Sequence, residues 1–278
     1  MDPLIVTVAA VGAELTREQQ PYLPISPDEL ATDAAQCAEA GASIYHLHVR
    51  DAQGQPTMDV ETFRRAHGAI TSATDLIVQF TTGGSTSDDG PARLAPLQLK
   101  PEMATLTTGS VNFGSEVFLN PAPLLQALYE SMRALGVMPE FEIFEAGMIA
   151  NATRLVKAGG FPEHLHFDLV LGVPGALPAW PDAVSFLSSH LPEGSSWTAT
   201  GIGRSWLEVA RTSIKQGGHV RTGFEDVLHL SPGVVAPSNR RLVEEVVSVA
   251  RSEDRPLATP AQAREILGLL KSPGQAVT

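Results

Sequence analysis

The feature that most constrains the fold is a regular alternation, along the whole chain, of short apolar runs rich in Val, Ile, Thr and Phe with longer amphipathic segments. This alternation is typical of parallel βα units, in which each helix carries the chain back to the start of the next strand. Eight runs have the composition of buried strands: 4–12, 43–49, 76–82, 103–109, 140–145, 166–172, 196–202 and 219–225. Eight such units in 278 residues predict a closed (β/α)8 barrel, the TIM-barrel form of the α/β class.

The segments between the runs carry helix start and stop signals. In SPDELATDAAQCAEAG, Ser26 is a candidate N-cap, Pro27 takes the first helical position and Gly41 ends the helix. An open doubly wound sheet of this length would usually have a glycine-rich phosphate turn after its first strand, and AAVGAELTREQQPYLP is not one. We therefore expect a single barrel domain over residues 1–278, which the helical patterns 238–255 and 259–270 close or extend.

Composition limits the location and the partners. The chain has no uncharged apolar stretch of about eighteen residues, and its first residues, MDPLIVTVAAVG, lack the basic region of a secretory signal, so we expect a cytoplasmic protein without a membrane span. The net charge of −12 argues against nucleic-acid and anionic-membrane partners, because phosphate binding depends on Lys and Arg clusters. Cys37, in an alanine-rich helical pattern, is expected to be buried and not nucleophilic. A small-molecule ligand is the remaining expectation.

Two histidines interrupt the apolar run IYHLHVRD, residues 44–51. Alternate side chains of a strand share a face, so the ring nitrogens of His46 and His48 can converge on one point. Both fall late in their run, at the carboxyl end of the strand, where TIM barrels carry their chemistry. His164 and His166 have the same spacing but precede their apolar run, and we expect them to be structural residues at the opposite end.

A catalytic divalent cation commonly takes three protein ligands and keeps one position open, so the two histidines need a third partner. The end of the eighth run, GGHVRTGFED, supplies Arg221, Glu225 and Asp226. Alternation places Arg221 and Glu225 on one face, which predicts Glu225 inside the barrel as a ligand and Asp226 at the rim. The competing interpretation is that Glu225 and Asp226 are solvated loop acids.

Other strand ends carry polar groups where a packed core would have none. Threonine is a good strand former, so each threonine alone is more typical of a sheet than of a site, whereas a carboxylate such as Glu142 is costly to bury unpaired. In GIGRSW, Gly203 and Arg204 form a glycine turn with a cation at the place where barrels often bind phosphate groups. The further candidates are Glu14, Thr81, Thr82, Gly83, Gly84, Thr105, Thr107 and Glu140.

Taken in order, these segments resemble the β-keto acid cleavage enzyme family. The resemblance covers essentially the whole chain and depends on GAELTRE, AGASIYHLHVRD, TTGG, LKPEMATLTTGSVNFG, FEIFEAGMI, LHFDLVLGVPG, GIGR and GGHVRTGFED. It implies a zinc-dependent barrel, usually a homo-oligomer and often a tetramer. It also implies an acyltransferase that uses acetyl-CoA to split a 3-keto acid into acetoacetate and a new acyl-CoA, in amino-acid catabolism.

The resemblance also implies a role for each matching residue. His46, His48 and Glu225 become the zinc ligands, although such a ligand set accepts several divalent cations. Asp226 becomes the general base and Arg221 its orienting partner. The remaining implied roles are a further catalytic acid at Glu142, substrate carboxylate binding at Thr81 and Thr105, and a contact with the amino end of the substrate at Glu14. From their positions at strand ends, and not from the resemblance, we also expect substrate contacts at Thr82, Gly83, Gly84 and Thr107 and acetyl-CoA binding at Gly203 and Arg204.

Three positions depart from the family pattern. Thr81 stands where serine is common, and Ala176 and Glu145 replace the more usual Gly and Asp. These departures bear on the shape of the substrate pocket and not on the metal ligands or the base.

Two other functions fit parts of the pattern. One is a metal hydrolase of the amidohydrolase type, which normally has the histidine pair after its first strand and further lysine or histidine ligands. The other is a barrel that only binds an acyl-CoA, which would require a closed four-ligand structural metal site.

Overall fold

The computed structural model describes residues 2–269, and eight parallel strands close into a barrel within them. Each strand lies in or overlaps one of the predicted runs, which confirms the TIM-barrel fold. The strands are β1 (Val6–Ala9), β2 (Ile44–Leu47), β3 (Ile77–Phe80), β4 (Met103–Thr107), β5 (Met138–Ile143), β6 (His166–Leu171), β7 (Ser196–Gly201) and β8 (His219–Thr222). Going round the barrel from the first strand, the order is β1, β8, β7, β6, β5, β4, β3, β2, so β1 lies between β8 and β2.

Helices follow the strands in turn and cover the outside of the barrel. They are α1 (Pro27–Ala40), α2 (Val60–Ala73), α3 (Gly90–Leu94), α4 (Ala122–Leu135), α5 (Ala146–Gly159), α6 (Ala183–Ser188), α7 (Trp206–Gln216), α8 (Asn239–Ser252) and α9 (Pro260–Ile266). The signals of α1 act as predicted: Ser26 and Glu29 form a capping box, and Gly41 ends the helix in the left-handed region. Within residues 2–269, no helix has the length and apolarity needed to cross a bilayer.

The C-terminal helices close the barrel. α8 packs against α1 and α7, and α9 covers the amino-terminal opening of the barrel. There, Ala263 and Leu267 pack on the first inward-facing residues of the strands, namely Ile5, Ile44, Ile77, Met103 and Met138. The predicted extension therefore acts as a floor, and residues 270–278 of the predicted domain lie outside the described part of the chain.

The layer above this floor is polar. Glu140 is fully buried, and one of its carboxylate oxygens lies 3.0 Å from His166 Nε2. Ser196 Oγ lies 2.7 Å from both His166 Nδ1 and His164 Nε2. His164 and His166 are thus at the amino end of β6, as their place before the apolar run predicted. His166 lies beside a buried carboxylate that would be costly without a partner, and Ser196 links the two histidines.

Three two-stranded hairpins follow β2, β4 and β8 and rise from the carboxyl end of the barrel. They pair Val49–Arg50 with Pro56–Thr57, Val111–Phe113 with Glu116–Phe118, and His229–Ser231 with Val234–Val235. The second hairpin carries two phenylalanine rings, Phe113 and Phe118, and Phe113 also lies 6.4 Å from the Phe144 ring. These three rings form one wall of the space above the strands.

Candidate active site

A cavity of about 470 Å3 opens at the carboxyl ends of the strands. One part of its wall is apolar and is formed by Phe113, Phe118, Phe144, Val170, Val173, Pro174 and Ile202. The other part is polar and is formed by Glu14, His46, His48, Thr81, Glu116, Glu142, Arg221, Glu225 and Asp226. None of the described residues that line the cavity is a lysine.

Two histidines and a glutamate converge at the bottom of this cavity. His46 is the third residue of β2, His48 follows the strand, and Glu225 is in the loop after β8. Glu225 Oε2 lies 3.7 Å from the Nε2 atom of each histidine, and ligand atoms of the three side chains lie within 4.8 Å of one another. Sequence alternation selected the same three residues.

The geometry of these atoms fits a divalent cation. Ligands about 2.1 Å from a tetrahedral ion are about 3.4 Å from each other, close to the observed separations. Glu225 Oε2 is buried and has no hydrogen-bond partner, whereas Oε1 accepts from Arg221 Nη2. An orphaned carboxylate oxygen that faces two imidazole nitrogens is costly without a cation, and three ligands leave a position open toward the cavity.

The environment keeps both imidazoles neutral and fixes the orientation of His46. Burial lowers the pKa of His46 to about 3 and also lowers the pKa of His48. His46 Nδ1 lies 2.8 Å from Gln79 Oε1, which can only accept, so we assign the proton to Nδ1 and the lone pair to Nε2. A hydrogen-bond acceptor on the ring nitrogen that does not bind the metal fixes the orientation of a metal-binding histidine.

Arg221 is the centre of the charge distribution. It is buried, and its guanidinium donates to both oxygens of Asp226 at 3.0 Å, to Glu225, and to Glu142 at 3.4 Å. Asp168 lies 3.9 Å from Arg221 Nη1 and accepts from Thr200. One guanidinium therefore faces four carboxyl groups, and this negative excess favours a divalent cation at the histidine–glutamate cluster.

Two of these carboxyl groups have pKa values suited to proton transfer. Burial raises the pKa of Asp226 to about 6 and that of Glu142 to about 7, against the opposing effect of Arg221. Burial also acts to raise the pKa of Glu225, but the charge and hydrogen bond of Arg221 together with the effects of His48 and His46 lower this pKa to about 2. Glu225 is thus the permanently ionised member, and Asp226 and Glu142 are groups that can exchange a proton near neutral pH.

The placement of Asp226 differs from the prediction. Alternation put this residue at the rim, but its side chain is buried beside Arg221 and lines the cavity. The reason is that β8 ends at Thr222 and the chain turns at Gly223, where φ is 145°. The turn brings Glu225 and Asp226 onto the same guanidinium.

The structure separates the other predicted site residues into three groups. Glu14, Thr81, Gly83, Gly84 and Glu142 line the cavity. Thr82, Thr105 and Thr107 lie behind that lining: Thr82 Oγ1 donates to the Thr105 carbonyl, and Thr107 donates to Glu142. Gly203 and Arg204 are exposed in a short 3-10 turn after β7 and do not line the cavity.

Supporting residues were missed by the sequence argument. Gln79 lies inside the apolar run IVQF and is the Cα partner of His46 across the sheet, which is the signal that could have found it. Asn239, at the start of α8, accepts from the Phe224 backbone N–H and donates to the Ala10 carbonyl, and so holds the loop that carries Glu225. Asp168, in the middle of β6, has the alternation of an inward-facing residue.

Comparisons with known proteins identify the family of the chain. The sequence profile of the beta-keto acid cleavage enzyme family matches residues 3–269. The chain belongs to the β-keto acid cleavage enzyme family. It is 45% identical over 273 residues to a 3-keto-5-aminohexanoate cleavage enzyme of Fusobacterium nucleatum, covering 98% of this chain and 100% of the relative. It is 38% identical over 271 residues to a 3-oxoadipate:acetyl-CoA acetyltransferase of Cupriavidus necator, covering 96% of this chain and 95% of the relative.

A solved structure, a binary complex of ObcA with oxaloacetate, shares the fold of this β-keto acid cleavage enzyme family member. The TM-score is 0.78 at 21% identity, over 89% of this chain and 67% of that chain. The resemblance inferred from the sequence motifs is confirmed, and with it the prediction that the chain is an enzyme. The individual roles of the site residues remain predictions.

Proposed function

We propose that this chain is a metal-dependent acyltransferase that exchanges an acyl group between a 3-keto acid and acetyl-CoA and releases acetoacetate. The observation that carries the proposal is the orphaned oxygen of Glu225, which faces His46 and His48 at the bottom of a cavity also lined by Asp226. Relatives of the same length are named for the cleavage of 3-keto acids or for transfer from acetyl-CoA. We further propose zinc as the cation, with His46, His48 and Glu225 as its ligands.

The difficulty of the reaction is the negative charge that develops on the 3-keto oxygen when C2 loses a proton. A divalent cation at the histidine–glutamate cluster would supply Lewis acidity at that oxygen, an effect worth several kcal/mol. Asp226 would accept the C2 proton, because its raised pKa makes it a stronger base than an ordinary carboxylate and Arg221 fixes its orientation. Glu142, held by Arg221 and Thr107, would stay within reach as a second proton carrier.

The bond changes balance without another reactant. The C2 carbanion attacks the thioester carbonyl of acetyl-CoA, and a C–C bond forms. The CoA sulfur leaves that carbon and adds to the original C3 carbonyl, and the C2–C3 bond breaks. Acetoacetate takes back the proton held by Asp226, and the remainder of the substrate leaves as an acyl-CoA.

The cavity wall favours a cationic or neutral tail on the keto acid. Glu14 and Glu116 are exposed carboxylates at the mouth, and Arg221, whose donors are taken by carboxylates, is the cation among the described lining residues. An acidic tail would thus meet like charge, whereas an amino group would meet Glu14. The relatives named above include both an aminohexanoate and an oxoadipate enzyme, and the acids at this mouth support the first type of substrate.

A substrate panel tests the proposal. Metal-loaded protein is incubated with acetyl-CoA and 3-keto acids whose tails are cationic, neutral or acidic, and acetoacetate release is measured. We expect turnover that requires acetyl-CoA and is fastest for the cationic acid, and we expect Asp226→Asn to retain its metal and lose turnover by about 100-fold or more. Near-normal turnover of Asp226→Asn would remove it as the base, and hydrolysis without acetyl-CoA would favour the hydrolase alternative.

The sequence also predicted a homotetramer, a cytoplasmic location and acetyl-CoA contacts from Gly203 and Arg204. These stand as proposals, of which the tetramer follows from the resemblance to the family. Light scattering of the purified protein tests the tetramer, and fractionation of the source cells tests the location.

A further inference from the structure

A buried arginine lies directly behind one wall of the cavity. Arg93, in α3, is 2% exposed. Its guanidinium donates to the Thr82 carbonyl at 2.6 Å, to the Leu119 carbonyl at 3.0 Å and to Asn120 Oδ1 at 2.6 Å. It therefore joins the loop after β3 to the end of the hairpin that follows β4.

These partners are neutral, which is unusual for a buried cation. Within residues 2–269, no carboxylate oxygen comes within 4.0 Å of the guanidinium nitrogens of Arg93. The charges of Glu142 and Asp88 act on it from farther away, and burial lowers the pKa of Arg93 to about 10, so the group stays protonated at neutral pH. The positive charge is thus present and is not cancelled by an adjacent anion.

The charge is close to the lining of the cavity. Its guanidinium carbon lies 4.8 Å from the centre of the Phe118 ring, which is itself a lining residue. Thr82, whose carbonyl Arg93 holds, lies between the lining residues Thr81 and Gly83, and the Gly83 N–H donates to Thr81 Oγ1 at 2.9 Å. Arg93 thus fixes this stretch of loop from behind and adds a positive potential to it.

We propose that Arg93 is a positioning residue for the carboxylate of the 3-keto acid, which it draws to the Thr81–Gly84 loop by charge and by fixing that loop. The inference rests on the proposed function, which supplies a substrate with a carboxylate. Arg221 is a poor alternative for this task, because its donors already face Asp226, Glu225 and Glu142. Arg93 has no such anion, so its field is available to a ligand.

An Arg93 that acted only as a clamp, holding the loop after β3 to the hairpin after β4 without an electrostatic effect on the substrate, would make the same hydrogen bonds. One substitution separates this explanation from the proposal. Asn120→Asp keeps the shape of the side chain and the acceptor at 2.6 Å from Arg93 Nη2, but it places a carboxylate against the guanidinium. The clamp would be kept or strengthened, whereas the positive potential would be cancelled. Gln262→Glu is the matched control, because it adds the same charge in the capping box of α9 at the floor of the barrel.

The readouts are the dissociation constants of acetoacetate and methyl acetoacetate, measured by calorimetry on metal-loaded protein, together with KM and kcat of the exchange reaction. Both ligands have the dicarbonyl group, and only the acid has the charge. We expect the wild type and Gln262→Glu to prefer the acid. In Asn120→Asp, we expect this preference to fall by about tenfold or more, with a matching rise in KM for the keto acid, unchanged kcat and an unchanged or higher melting temperature.

An unchanged preference in a folded Asn120→Asp protein would overturn the inference, as would a wild type that binds acid and ester equally. Should Asn120→Asp not fold, the pair Arg93→Lys and Arg93→Met decides: the inference requires lysine to keep a preference that methionine loses, and equal losses would refute it. A wild type that prefers the acid, loses this preference in Asn120→Asp and yet shows no exchange with acetyl-CoA would support the role of Arg93 and reject the proposed function.

Discussion

Gly223 is the position where a single methyl group should do most damage to the site. Its φ is 145°, and a Cβ atom built on it would lie 2.1 Å from the Ala9 carbonyl oxygen. This is more than an ångström shorter than the 3.4 Å at which ordinary contacts begin, and the obstacle is backbone that cannot rotate away. Gly223→Ala therefore cannot be accommodated without moving the chain that carries Glu225 and Asp226.

The size of the effect follows from two contributions. The unfavourable dihedral costs about 1 to 3 kcal/mol. The steric displacement also breaks the hydrogen bond from Glu225 N–H to the Ala9 carbonyl, 3.1 Å in the structure, and loss of such a buried pair adds about 1 to 3 kcal/mol. We expect a total destabilisation of about 2 to 6 kcal/mol. A shift of about 1 Å at the reacting groups should lower turnover by about 100-fold.

Gly136→Ala is the matched control, because Gly136 ends α4 with φ at 71° and has nothing within 4 Å of a built Cβ. It isolates the dihedral cost, about 1 kcal/mol, and should leave metal content and turnover unchanged. Urea denaturation gives the two stabilities, and elemental analysis of the purified proteins gives the metal content. Equal stability losses in the two variants, or a Gly223→Ala protein with normal metal and turnover, would refute the reasoning.

Three further predictions follow from the same structure. Glu225→Gln should lose metal and turnover together, because an amide neither balances the ion nor keeps the short contact with Arg221, and metal that remains at wild-type stoichiometry would contradict this. Burial raises the pKa of Asp33 to about 6, so the folded state retains a proton that the unfolded chain releases near pH 4. The free energy of unfolding of the wild type, relative to that of Asp33→Asn, should therefore fall by about 2 to 3 kcal/mol from pH 4 to pH 7 in urea titrations. A difference that stays constant with pH would contradict this prediction. Arg204→Ala should raise KM for acetyl-CoA and leave KM for the keto acid unchanged, whereas an unaltered KM for acetyl-CoA would remove Arg204 from the cofactor site.

The fold and the metal cluster could be predicted because both depend on strict periodicity. Buried parallel strands are rich in apolar and β-branched residues, and this produces visible runs at the spacing of βα units. The same alternation puts His46 and His48 on one face, and the rule that barrels react at their carboxyl ends separates them from His164 and His166. Position within the run separated the two pairs, which have the same spacing.

The periodicity of the sequence could not predict how deep in the barrel a side chain lies or where a strand ends in a turn. Thr105 and Thr107 share one face of β4, but both lie behind the cavity lining, and the pattern of residue types carries no measure of that depth. Asp226 was placed at the rim because alternation was continued past Thr222, where Gly223 ends it. Arg93 has no motif at all, since its partners are two carbonyls and an amide from distant loops.

The order of the strands explains why the third ligand comes from the far end of the sequence. β1 lies between β8 and β2, so a side chain after β8 must cross the end of β1 to reach the histidines of β2. Glu225 makes this crossing: its N–H bonds to Ala9 at the end of β1, and its Cγ would be only 2.7 Å from a Cβ at Gly12. The segment after β1 therefore needs glycine there for the ligand to pass. The proposed metal site therefore depends on three neighbouring strands, β8, β1 and β2. β1, the middle strand, supplies no ligand, but the glycine that follows it leaves room for the side chain of Glu225.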